Sequence, residues 1–143
     1  MIKVLKIIGI IILSMILLFS GCAFYAYQQG QSYETTAIPY IEEVLPKIST
    51  WDLETNKLYS TPESNESMKD EDLSKLLKWL SKLGKLNSIE KPQFTRIMNG
   101  NYITYVFIAH YENGDATITM QLKDENGKFL INGFHVDSMA LIE

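Results

Sequence analysis

At 143 residues, with 13 basic against 17 acidic side chains, the chain has room for one folded domain and carries no basic excess. Nucleic acid and anionic lipid headgroups are disfavoured as partners, because both ask for a positively charged face. Its single cysteine, Cys22, excludes an intramolecular disulfide, so the domain must be held by its core.

The chain opens with Lys3 and Lys6, followed by 21 uncharged and mostly apolar residues, Ile7 to Tyr27. As a helix rising about 1.5 Å per residue they reach roughly 31 Å, the thickness of a hydrocarbon core. The next basic residue is Lys47, so the amino end is expected to stay in the cytoplasm of a bacterium. This is a single-pass signal-anchor in the plasma membrane, with the C-terminal domain periplasmic or extracellular. A second reading uses Phe19-Ser20-Gly21-Cys22, which resembles the lipobox of bacterial lipoproteins and implies cleavage before Cys22 and lipidation of that cysteine. The sequence departs from that family at Phe19, where leucine is usual, and at Ala23 to Tyr27, which stays apolar where a mature lipoprotein turns polar. Tyr25 and Tyr27 suit an aromatic belt at the outer interface. A signal cleaved without lipidation is the third reading. The first two make residues 1–27 the membrane anchor. Without its two lysines, 11 basic residues remain against 17 acidic ones.

Residues 28–33 (Gln28-Gln29-Gly30-Gln31-Ser32 and Tyr33) form a short polar linker, and residues 34–143 form one extracytoplasmic α+β domain. From Glu34 the apolar positions Ala37, Ile38, Ile41, Val44, Leu45 and Ile48 recur at helical spacing. Pro39 fits the first turn and Pro46 the end. Trp51 to Tyr59 is a short second helix capped by Ser49 or Thr50. Thr61 to Ser67 reads as a loop or a single turn. The third helix carries Leu73, Leu76, Leu77, Leu80 and Leu83 as one stripe, with Asp70 or Ser67 as cap and Gly84 as stop.

From Ile89 the period changes to two. Asn-Gly pairs at 99–100, 113–114 and 126–127 divide the remainder into a four-stranded antiparallel meander. A two-residue loop at Asn113-Gly114 places Ala109 opposite Ile118, Phe107 opposite Met120 and Tyr105 opposite Leu122. The turn at Asn99-Gly100 brings Phe94 opposite Tyr105 on that same apolar face. In the last strand, a bulge at Gly133 turns Phe134 and Val136 inward and His135 outward.

This order of elements, ending in Lys128-Phe129-Leu130-Ile131-Asn132-Gly133-Phe134-His135-Val136, resembles the NTF2-like, cystatin-like α+β superfamily, whose last strand often runs aromatic, x, Ile, x, Gly, Phe. Ile38 to Trp51, followed by Ser60-Thr61-Pro62-Glu63, is similar to small uncharacterised bacterial membrane-anchored proteins of that type. The resemblance covers Glu34 to Ser138 and implies about three helices packed on a curved sheet. The superfamily holds enzymes, carriers and structural modules, so the fold does not choose a role.

Catalysis finds little support. An isomerase of this superfamily needs a carboxylate on the concave face, and the inward set Phe94, Tyr105, Phe107, Ala109, Ile118, Met120, Leu122 and Ile131 supplies only a phenol. His110, Thr117 and His135 line up across three strands, too widely for shared metal ligation. No nucleophile elbow, phosphate loop, dinucleotide fingerprint or CxxC pair occurs, so neither a metal nor a cofactor is expected. The reading is a non-catalytic, membrane-tethered domain that binds a protein partner or a second copy of itself. Its contact surface is the outward sheet face around Tyr102, Thr104, Val106, Ile108 and Thr119. The alternative is a carrier or sensor of a small apolar ligand, in a pocket lined by Trp51, Trp79 and Tyr105 between helices and sheet.

Overall fold

Helix formation begun in the apolar run does not stop at the polar spacer. In the computed structural model, helix α1 runs from Ile2 to Ile48. Residues 1–142 are described, apart from the side chains of Ala23, Ala26, Tyr27 and Gln29, so Tyr27 of the expected aromatic belt lies outside the described residues. The chain divides into two compact units, Met1–Tyr33 and Glu34–Glu143. Residues 28–33, expected as a linker, are helical here, and the second unit begins at Glu34. Nucleation is the costly step and extension is cheap, and glutamines extend a helix well. Pro39, expected in a first turn, consequently sits inside α1, where it withholds one backbone donor.

In the first unit, Ile2–Cys22 is long and apolar enough to cross a membrane. Its two hydroxyls are satisfied within the helix: Ser14 Oγ donates to the Ile11 carbonyl at 2.8 Å and Ser20 Oγ to the Ile16 carbonyl at 2.7 Å. Neither would carry an unmet donor into lipid.

The second unit begins with the C-terminal third of α1, whose expected stripe is buried from Ala37 through Ile48. Trp51 takes a positive φ of 59° and breaks the chain away. Helix α2, Leu53–Leu58, is capped by Asp52, which accepts from Thr55 N at 3.0 Å. The expected caps are occupied elsewhere: Ser49 Oγ shares a 2.9 Å hydrogen bond with the Tyr111 hydroxyl, and Thr50 Oγ1 donates to the Lys47 carbonyl. The segment 61–67, expected as a loop or a single turn, is the short helix α3, Pro62–Ser67, with Pro62 in its first turn and Thr61 as cap. Helix α4, Asp70–Leu80, follows Lys69, which makes no side-chain cap; Asp70, Glu71 and Asp72 in its first turn complement the helix dipole instead. A 3-10 turn, Ser81–Leu83, continues it to Gly84, which stops it at φ 78°. Leu77, Leu80 and Leu83 face the core.

The sheet has five strands rather than four, because its first row is split. Strands β1 (Leu86–Ile89) and β2 (Gln93–Met98) both pair antiparallel with β3 (Tyr102–Tyr111), β1 along its end and β2 along its beginning. The break falls at Glu90-Lys91-Pro92, where proline has no N–H for the ladder. Strands β4 (Gly114–Glu125) and β5 (Lys128–Asp137) complete an antiparallel order. Phe94 pairs with Tyr105 as expected, although the turn spans three residues; Asn99 and Gly100 take φ 52° and 77°, and a bulge between Phe94 and Arg96 restores the register.

The β3–β4 hairpin is slipped by two residues from the expected pairing. Ala109 faces Ala116, Phe107 faces Ile118 and Tyr105 faces Met120. The turn is held from outside: Glu112 N donates to the Lys85 carbonyl at 2.8 Å, and Asn113 Nδ2 donates to the Lys82 carbonyl at 2.8 Å. Local turn chemistry yields to those bonds. Because the slip is even, every side chain keeps its expected face.

The bulge in β5 is present. Gln121 pairs with Gly133 and Leu122 with Ile131, leaving Asn132 over; Phe134 and Val136 then stand opposite Met120 and Ile118, and His135 is exposed. Asn132 is not idle. Thr61 Oγ1 donates to its Oδ1 at 2.9 Å while accepting from Ser64 N, and Asn132 Nδ2 donates to Gln121 Oε1 at 2.7 Å. Alongside, Thr61 N and Ile131 N bond the Ile131 and Tyr59 carbonyls, so Tyr59–Thr61 lies against the β5 edge.

Thr61 is fully buried and serves both α3 and the bulge. Thr61→Val is expected to destabilise by about 2 kcal/mol in urea unfolding, since it strands a cap donor and the Asn132 acceptor, whereas Thr61→Ser retains most of the stability.

Candidate functional site

The two sheet faces differ sharply in what they leave open. On the inner face Ile103, Tyr105, Phe107, Ile118, Met120 and Leu122 are all buried. The outer face holds the five residues singled out from sequence. Tyr102, Thr104, Val106 and Ile108 alternate along β3, and Thr119 pairs with Val106 from β4. Ile108 is 40% exposed and Tyr102, Val106 and Thr119 are partly open, so the structure brings this set together as a surface. Thr104 is buried within it, and its hydroxyl has no hydrogen-bond partner among the described residues. That hydroxyl is itself buried, so what the face offers a partner is the apolar and threonine surface of Tyr102, Val106, Ile108 and Thr119.

At one end of this face His110 lies between two carboxylates. Its Nδ1 is 2.7 Å from Asp115 Oδ1 and its Nε2 is 3.6 Å from Glu90 Oε2. The hydrogen bond to Asp115, with the negative charges of Asp115 and Glu90, raises the imidazole above its ordinary 6.5 against a smaller opposing effect of burial. The alignment expected from sequence, His110 with Thr117 and His135, is corrected by the two-residue slip: Asp115 is the partner of His110, while His135 pairs with Thr119. The carboxylates sit on opposite sides of the ring. Among the described residues no three metal-ligating side chains come together.

The pocket trio does not assemble. Tyr105 is 1% exposed and packs edge-on against Phe94 at 6.1 Å; Trp51 lies against Tyr111 at 5.8 Å; Trp79 is 41% exposed. With Leu77 and Leu80 turned inward, helical spacing sends Trp79 out. A recess the trio did not mark opens elsewhere in the second unit, about 690 Å³, between Pro39 and Tyr40 of α1, Leu58 and Tyr59, and Phe129 and Leu130 of β5. Burial first, then the negative fields of Tyr59 and Glu43, pushes the Tyr40 phenol up to about 12. Its hydroxyl has no partner among the described residues, and its ring lies 5.5 Å from Phe129. No sequence signal marks this recess, because Tyr40 and Phe129 meet only once α1 is laid on the sheet. The carboxylate closest in register to the inner face, Asp124, accepts from Gly127 N at 2.8 Å in the β4–β5 turn.

No protein-family model, curated protein or solved structure matches the chain.

His110 is expected to titrate above 6.5 by NMR, and Asp115→Asn to bring its midpoint down. A raised histidine stabilises the fold fully below its unfolded-state value, and the contribution is lost as pH rises through the folded-state value. Wild type should therefore lose thermal stability more steeply than Asp115→Asn as pH rises above 6.5; equal pH profiles would contradict this.

Proposed function

We propose that this chain is a membrane-tethered, extracytoplasmic interaction domain of NTF2-like architecture that acts by binding rather than by catalysis. The observation that carries the reading is the partly open outer face of the sheet, set against an inner face whose central residues, Ile103, Tyr105, Phe107, Ile118, Met120 and Leu122, are buried. Helices preceding a meander, with a bulge before Phe134, support the architecture. The tether is an uncleaved Ile2–Cys22 helix oriented by Lys3 and Lys6, and lipidated Cys22 is the alternative tether. Confinement to a layer beside the bilayer raises the effective concentration of the domain for anything else held there, which makes a modest contact surface sufficient.

The recess at Tyr40 favours a second reading, a carrier or sensor of a small apolar ligand. Aromatic and aliphatic walls with one unmet hydroxyl match the usual make-up of such sites.

A photo-crosslinking side chain introduced at Ile108 of the full-length protein in its membrane is expected to give a discrete protein adduct, and the same probe at Trp79 none. Absence of any adduct at Ile108, with a fluorescent fatty-acid analogue retained by wild type and lost in Tyr40→Ala, would favour the carrier.

A further inference from the structure

Register turns the outer face into a grid whose charges can be placed. Arg96 lies beside Thr104 and Lys123 beside Tyr102; at the opposite end Asp115 lies beside His110, and Glu90 N bonds the carbonyl of Ile108. Val106 is midway between the two ends. Arg96 is the chain's only arginine, is exposed, and has no ion-pair partner among the described residues. A guanidinium left unpaired beside an apolar stripe is the kind of group that anchors protein interfaces.

Consider a two-fold axis in the plane of this face, perpendicular to the strands and passing over Val106. It lays the row of Thr104 on the row of Ile108 and the row of Tyr102 on the row of His110, while each strand faces its own counterpart. Arg96 then meets Glu90 of the other copy, Lys123 meets Asp115, and Val106 meets itself. Each charge contact occurs twice. The Glu90 carboxylate is more than half exposed and free to take a second partner, whereas Lys123 already serves Glu63 and Glu125, so the selective contact is Arg96 with Glu90. Tyr102 of one copy comes over His110 of the other, beside a recess of about 560 Å³ bounded by Ile108, Thr117, Asp137 and the exposed Met139.

We propose that the occupant of the outer face is a second copy of this chain, packed face to face through this two-fold axis with Arg96 against Glu90; the inference rests on the outer face being the contact surface. Eight residue steps along β3 and four strands across give a patch of roughly 27 by 19 Å. That buries on the order of 1,000 Å² in total, the lower limit for a specific interface. Such a pair is weak in solution and becomes populated when both copies are held to one bilayer.

The test uses full-length chains carrying two different tags, co-expressed and co-captured from membranes. Arg96→Glu paired with itself sets Glu against Glu90, and Glu90→Lys paired with itself sets Arg96 against Lys; each is expected to lower co-capture by about fivefold or more. Mixing Arg96→Glu with Glu90→Lys restores an opposite-charge pair at both contacts, and co-capture returns to the wild-type level. Both single variants alter exposed side chains, and recovery in the mixture shows that each is folded. No co-capture of wild-type copies, or a mixture as poor as either variant alone, overturns the pairing. If the Ile108 probe then yields a different protein, the contact face stands and self-pairing falls; if it yields nothing, both fall.

Discussion

Everything in the second unit depends on one packing arrangement, the burial of the C-terminal third of α1 among the inward residues of the sheet. Ala37, Ile41 and Leu45 are wholly buried, as are Ile103, Ile118, Met120 and Leu122. Each large aliphatic side chain taken out of water contributes about 1.5–3 kcal/mol, and no disulfide shares the task. One hydrogen bond and one aromatic contact mark where this layer ends. Ser49 reaches Tyr111 at one point, and Tyr40 lies on Phe129 at another. Helix α1 holds an apolar run long enough to cross a membrane and, in the second unit, the stripe that is buried in the core.

Sealing one face of a sheet leaves the other to solvent, and here that face is not simply polar. Val106, Ile108 and Tyr102 stand among threonines, with opposite charges at the two ends. The split edge row matters to this arrangement. Pro92 interrupts pairing and puts Glu90 within 3.6 Å of His110, on the side of the sheet where Asp115 also reaches it. A chain selected only for folding would have little need of an exposed Arg96 that has no ion-pair partner among the described residues, set beside an apolar stripe. Arg96 acquires one if the surface is covered by a second copy.

Much of this was legible in the residues themselves. The α1 stripe, the alternation along β3 and β4, the split into inner and outer faces and the bulge before Phe134 all follow from periodicity, since a side chain's face is set by spacing alone. Misplaced features depend on contacts distant in sequence. Asn113-Gly114 has the composition of a hairpin turn, yet the Lys85 and Lys82 carbonyls hold Glu112 and Asn113 as the turn, a competition invisible in a local window. Asn132-Gly133, of identical composition, forms the bulge because Thr61 and Gln121 engage Asn132. For the candidate surface, alternation alone puts its five residues on one face, whereas Trp51, Trp79 and Tyr105 share only an aromatic character and lie in three different surroundings.

Oxidative footprinting of the full-length protein, compared between intact membranes and dilute detergent, tests the central claim that the outer face is covered where the protein works. Met98 and Met139, 42% and 72% exposed and both bordering that face, should be protected in membranes and reactive in detergent, while Trp79, 41% exposed among the helices, reacts equally in both. Equal reactivity of the two methionines in membranes and detergent would contradict a contact on this face.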